Sequence, residues 1–299
     1  MVEDTQLAES KSIHRQTGKT FYFATRLLPQ RVRRATYVLY AFFRVADEVV
    51  DDPGGASPEE QRERLVEIRE AALGHRETDD PVLSAFSEVR EEYGIPDEEV
   101  ELFIDAMLTD IEKSRYESYE ELEAYMRGSA SAVGVMMTII METDDLETAL
   151  PHARKLGEAF QLTNFVRDVG EDVEDRDRIY LPLVTLESNG VDVDDLEAQR
   201  FTEAVGDAVE HELRRAEGLY REGVAGIKYL PTDCQLPVLT AAVLYVDHHR
   251  LVREHGYDTV TTTPSLGTLR KWRWSRGPDG TGCGPTTPRR CSRRSAASR

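Results

Sequence analysis

The stretch Gln161-Leu-Thr-Asn164-Phe-Val-Arg167-Asp168-Val-Gly-Glu171-Asp172 decides how this chain is read. Residues four apart share one face of a helix, so Asn164, Asp168 and Asp172 point one way, with Gln161 a turn earlier. Toward the N-terminus, Arg44-Val-Ala-Asp47-Glu48-Val-Val-Asp51 repeats the arrangement, with Asp47 and Asp51 one turn apart. Both stretches lie among apolar residues, including Tyr40, Phe42, Phe43, Val45, Val49, Phe160 and Phe165, which predicts largely buried helices. Buried like charges need compensation. A divalent cation between the carboxylates supplies it, and hard oxygen ligands with water select magnesium, whose usual partner is a phosphate. The competing reading is a solvated charged face. With 56 of 299 residues Asp or Glu, such pairs arise by chance, and Glu48 with Asp52 is another.

No run alternates as a strand would, so an all-α protein is expected. Helical periodicity and breakers predict helices near 31–52, 58–74, 81–93, 97–113, 118–142, 147–173, 201–227 and 235–256, with 183–200 a loop containing short helical turns. A chain of 33.8 kDa can bury one sizeable core, as a single helical domain.

Beyond the two acidic stretches, the sequence resembles the squalene and phytoene synthases, the head-to-head prenyl transferases. The likeness runs through Gly18-Lys-Thr20-Phe21-Tyr22, Arg33 to Arg44, Tyr125, Gly157 to Asp172 and Arg178-Ile-Tyr180-Leu-Pro182, and so spans most of residues 10–270. It is nearest to the phytoene synthases in Thr-Phe-Tyr and in Asn-Phe-Val-Arg-Asp-Val-Gly-Glu-Asp. The resemblance implies the isoprenoid synthase fold, with a central cavity and the two aspartate-rich helices facing each other across its mouth.

It also implies roles. Asp47, Asp51, Asp168 and Asp172, helped by Asn164, are the expected ligands of magnesium, with manganese as its substitute. Arg44 and Arg167 are expected to grip diphosphate, although each also has an acidic neighbour to pair with. Gln161 and Tyr245 join them as substrate contacts, and Tyr125 lies near the reacting carbons. Gly18 and Thr20 stand where the family usually has serines, in an N-terminal segment expected to be flexible, and Thr20 keeps a hydroxyl. The segment from Tyr125 to Gly134 keeps the small residues that let a helix backbone approach a prenyl chain. Phe21, Tyr22, Phe42, Phe43 and Phe165 are candidates for cation–π support in a dry cavity. The implied reaction joins two geranylgeranyl diphosphates through a cyclopropylcarbinyl diphosphate to phytoene, without NADPH. Squalene or dehydrosqualene synthesis from two farnesyl diphosphates is the alternative, and a non-catalytic scaffold is a third reading that the four aspartates oppose.

Net charge is −19, with six Lys against thirty-one Arg, which disfavours nucleic acid and anionic lipid as partners. The expectation is adaptation to high salt, as in a halophilic archaeon. No signal peptide or membrane-length apolar run is present, so a cytoplasmic enzyme is expected, with loose membrane contact for release of an oil-like product. Nothing signals an oligomeric state. Residues 1–269 form the expected catalytic domain. From Arg270 to Arg299 nine basic residues stand against one acidic, without apolar periodicity, so this tail is expected to be disordered and to reflect a frameshift. Cys283 and Cys291 fall there, and Cys234 stands alone before it, so no disulfide framework is implied.

Overall fold

The computed structural model describes residues 4–17 and 19–266; Gly18 and the 270–299 tail lie outside the described residues. The unit Met1–Ser265 carries everything that follows. Among the described residues the chain is helices and turns, with one isolated bridge between Arg115 and Ile179. The helices are α1 (Asp4–Thr17), α2 (Lys19–Thr25), α3 (Gln30–Asp51), α4 (Pro58–Ala72), α5 (Pro81–Tyr93), α6 (Asp97–Asp110), α7 (Tyr119–Met126), α8 (Ala132–Ile140), α9 (Leu146–Arg167), α10 (Val169–Arg176), α11 (Leu183–Ser188), α12 (Val193–Glu197), α13 (Glu203–Val224) and α14 (Thr232–Glu254). No described helix is long and apolar enough to cross a membrane.

Local chemistry fixes many of the ends. Ser57 and Glu60 form a reciprocal capping box at the start of α4, where Pro58 costs no hydrogen bond. Asp80 accepts from the amides of Val82 and Leu83 to open α5, and Gly94 closes that helix at φ 66°. Asp145 and Thr202 cap α9 and α13 in the same way as Asp80.

α3 and α9 form the axis of the molecule. α3 packs against α1, α4, α5 and α6, and α9 against α8, α13 and α14. The approach of α9 to its neighbours is close because Gly157 faces the Ala130 carbonyl and Gly134 faces that of Ala153; a Cβ at either glycine would meet the oxygen at 2.4 Å. These glycines therefore serve helix–helix contact, and Gly134 and Gly157 also line a cavity described below.

Two expectations are corrected. At the N-terminus, α1 packs on α3 and α5. The helix expected over 118–142 contains a π turn at Arg127–Ser131, beside Gly128, where a Cβ would meet the Leu102 carbonyl at 2.2 Å. The helix expected over 147–173 breaks at Asp168 (φ −108°, ψ 20°), because the Gly170 amide leaves the ladder to donate to Thr259 O at 3.0 Å. The short turns expected in 183–200 are α11 and α12.

Candidate active site

A polar chamber opens between the C-terminal half of α3 and the α9–α10 junction. α3 contributes Arg44, Asp47 and Asp51; α9 and α10, with the break between them, contribute Gln161, Asn164, Arg167, Asp168, Glu171 and Asp172. Phe21 of α2, Tyr125 of α7 and Tyr245 of α14 complete the set that the sequence singled out. Gly18 lies outside the described residues, and of Thr20 only the backbone, in α2, is described. The break at Asp168 leaves Asp168 and Asp172 facing one chamber because Asp168 still accepts from the Asp172 amide at 2.8 Å.

The chamber also holds residues to which the sequence reading gave no role: Asp110, Arg176, Arg178, Tyr180 and Tyr40. Arg176 ties the two acidic helices together, with Nε 3.2 Å from Asp51 Oδ1 and Nη1 3.3 Å from Asp172 Oδ1. Its spacing of four from Asp172 was a usable signal. Arg178 donates to Asp51 Oδ1 at 3.1 Å and to the Asp110 carbonyl at 3.0 Å. The Tyr125 hydroxyl donates to Asp110 Oδ2 at 2.6 Å. Asp110 gave no sequence signal, being one more carboxylate at the end of an acidic helix.

Charge is incompletely balanced here. Burial and then the neighbouring Asp51 push the Asp47 carboxyl up to about 7. Burial and then Asp168 push Asp172 up to about 8, and burial pushes Asp110 up to about 6. Arg44 sits on Asp47, and Arg167 donates through Nε to Asp168 at 2.6 Å, so both arginines pair with the nearest carboxylate. Three buried polar atoms of residues lining this chamber have no partner among the described residues, Asn164 Oδ1, Asp110 Oδ1 and Arg44 Nε. The two oxygens are acceptors for a cation and the guanidinium nitrogen is a donor for an anion. The donor set is oxygen throughout, which fits a hard divalent ion. Among the described residues no three acidic, His or Cys side chains converge closely enough to hold an ion by themselves, so a diphosphate and water would have to complete its shell.

Beneath the polar chamber lies an apolar cavity of about 320 Å³. Phe21, Tyr40, Arg44, Asp47, Tyr125 and Gln161 line both spaces. The lower walls come from Phe103, Met107, Val133, Met137, Leu156 and Phe160, and the far end from Ile227, Leu230 and Val238. A molecule with a charged head and a long hydrocarbon tail matches this division. Of the five aromatic candidates, Phe21 and Phe43 face the apolar cavity and Phe165 faces the polar chamber, stacked on Tyr180 at 3.9 Å. Phe42 does not line either space: it is fully buried and stacked on Phe86 at 3.8 Å. Tyr22 also lines neither, and packs beside Tyr37.

Residues 14–276 match the family described as Squalene/phytoene synthase. The chain is 33% identical to the phytoene synthase of Cereibacter sphaeroides over 286 residues, covering 92% of this chain and 79% of that protein. It is 36% identical to the phytoene synthase of Thermus thermophilus, covering 82% and 83%. Among solved structures, a dehydrosqualene synthase in complex with ligand superposes with a TM-score of 0.80 at 28% identity, covering 90% of this chain and 93% of that one.

Proposed function

Because the chain belongs to the squalene/phytoene synthase family, we propose that it is a phytoene synthase, joining two molecules of geranylgeranyl diphosphate head to head. The observation that carries this reading is the shared wall between the two spaces, which puts a charged head among Asp and Arg side chains and its hydrocarbon tail among Phe, Met and Leu.

In this reading Asp47, Asp51, Asp168, Asp172 and the Asn164 oxygen would hold magnesium, or manganese in its place, which supplies positive charge to the leaving diphosphate. Arg44 and Arg167 turn N–H groups that their carboxylate partners leave free toward the diphosphate oxygens, as planar charged donors suited to that geometry. Gln161, Tyr245 and Phe21 border the same head group. Tyr125, on both walls, sits where the first carbon of the tail meets the polar chamber. There the allylic carbon–oxygen bond breaks, and the double bond of the second substrate attacks the cation to give a cyclopropylcarbinyl diphosphate. The apolar walls keep water from quenching the cations. The second ionisation and rearrangement end in loss of a proton, so no reductant is needed.

A second reading, dehydrosqualene or squalene synthesis from two farnesyl diphosphates, is favoured by the likeness to the solved dehydrosqualene synthase. One experiment separates the two: the purified protein, in high salt with magnesium and without NADPH, is given each diphosphate separately and the lipid extract is chromatographed. A C40 hydrocarbon from the C20 substrate supports phytoene synthase; product from the C15 substrate alone moves the assignment to the second reading.

A further inference from the structure

Arg176 ends α10 and reaches across the polar chamber. Its Nε lies 3.2 Å from Asp51 Oδ1 on α3, and its Nη1 lies 3.3 Å from Asp172 Oδ1 on its own helix. Among the described residues, the other arginines of the chamber each serve one acidic stripe: Arg44 pairs with Asp47 and Glu48, Arg167 with Asp168, and Arg178 with Asp51. Six carboxylates and four arginines line this space, so positive charge is short and the guanidinium between the stripes serves both. Burial raises the Asp47 and Asp110 carboxyls, and the Arg176 charge opposes that rise at each.

The contacts of this bridge can be exchanged. Both are longer than the roughly 2.7–2.9 Å of a tight charge-assisted hydrogen bond. Asp51 Oδ1 also accepts from Arg178 Nη1 at 3.1 Å, so it keeps a partner when Arg176 leaves. The Arg176 side chain is 28% exposed against 8% for Arg178, which gives the first room to turn and holds the second in place. A divalent cation and a guanidinium compete for the same carboxylate oxygens, and the cation carries twice the charge.

Resting on the magnesium-dependent reaction proposed above, we propose that Arg176 is the built-in counter-ion of the metal-free site. It holds Asp51 and Asp172 together until metal arrives, and it gives up this bridge when a divalent cation binds the acidic stripes. The exchange replaces one ionic contact by another, and no covalent bond changes. Arg176 thereby stabilises the metal-free protein and opposes metal binding, whereas a fixed strut between the two helices would favour metal binding by holding the carboxylates in place.

The test compares wild type with Arg176→Gln by two measurements. One is Mn2+ affinity without substrate, from the electron paramagnetic resonance signal of free Mn2+; the other is melting temperature with and without saturating Mn2+. Expected for the variant is Mn2+ binding about tenfold tighter, the effect of removing one cation from beside the site. Without metal the variant should melt about 5 °C below wild type, and saturating Mn2+ should close that gap. Equal or weaker Mn2+ binding would overturn the proposal, and so would a gap that persists with Mn2+. A variant that folds only with Mn2+ supports it; one that stays unfolded even with Mn2+ overturns it, because the loaded protein does not use the bridge. Wild type making no hydrocarbon from either prenyl diphosphate would instead overturn the function on which the proposal rests.

Discussion

Arg178 Nη1 lies 3.1 Å from Asp51 Oδ1, joining residues 127 positions apart. The pair is nearly closed to solvent, and the same guanidinium also reaches the Asp110 carbonyl. It holds the end of α3 against the segment after α10, so it fixes how far apart the two acidic helices stand.

Removing that guanidinium should therefore cost both stability and rate. Arg178→Met leaves Asp51 with Arg176 alone, and breaking a buried pair of this kind lowers stability by about 3 kcal/mol. Arg178→Lys keeps the charge but loses the planar fork, and a misplaced Asp51 should lower kcat roughly 10²-fold. Urea denaturation and hydrocarbon assays of both variants check this. A fully active Arg178→Lys would show that the fork does not set the site.

Asp172→Asn should separate stability from activity. The Asp172 carboxyl is raised to about 8, so the folded state binds its proton more tightly than the unfolded state does. Stability from this group is complete below pH 4 and is lost as pH rises toward 8. The Asn variant, measured without metal at pH 8, should therefore be the more stable protein, by about 2 kcal/mol. Its hydrocarbon formation should fall at least roughly 10²-fold. A variant less stable than wild type at that pH would contradict the charge-repulsion account.

Acid should unfold the protein through its histidines. His248 and His249 are buried and pushed down to about 4, His248 donating to the Pro264 carbonyl and His249 bonded to Thr163. The unfolded chain takes up these protons at pH 6.5 and the folded one only near 4, so stability is present above 6.5 and is lost progressively down to 4. Each residue contributes at most about 3 kcal/mol to that fall. Together with the opposite slope from Asp172, this predicts a stability maximum between these limbs. Denaturation free energies from pH 4 to 8 check it, and His249→Gln should flatten the acid limb.

Gly170→Ala tests the break in the acidic helix. A Cβ there would lie 1.9 Å from the Val260 carbonyl, so the segment after α14 must move away and the bond from the Gly170 amide to Thr259 is strained or lost. Because Asp168 and Asp172 flank this glycine, we expect a loss of about 2 kcal/mol in stability with a larger proportional loss of activity. Wild-type melting temperature and rate would show that the docking of this segment does not position the carboxylates.

Salt should be required as well. At a net charge of −19 the folded surface repels itself, and molar salt screens that repulsion. Refolding yield and activity are expected to rise steeply between dilute buffer and molar potassium chloride. Full activity in dilute buffer refutes the salt adaptation.

The helical class, the two acidic stripes and the family likeness were legible in the chain, because each depends on spacing within a few turns of one helix. Asp47 with Asp51 and Asn164 with Asp172 are local relations of that kind, and they do line one chamber. Tertiary structure alone decided the rest. Arg178 finds Asp51, and Tyr125 finds Asp110, only when separate helices are packed. The helix breaks at Asp168 because residues 259 and 260 occupy the space beside Gly170, which no pattern near position 168 records. Periodicity reports which face a side chain takes, but its partner across the chamber is set by how whole helices meet.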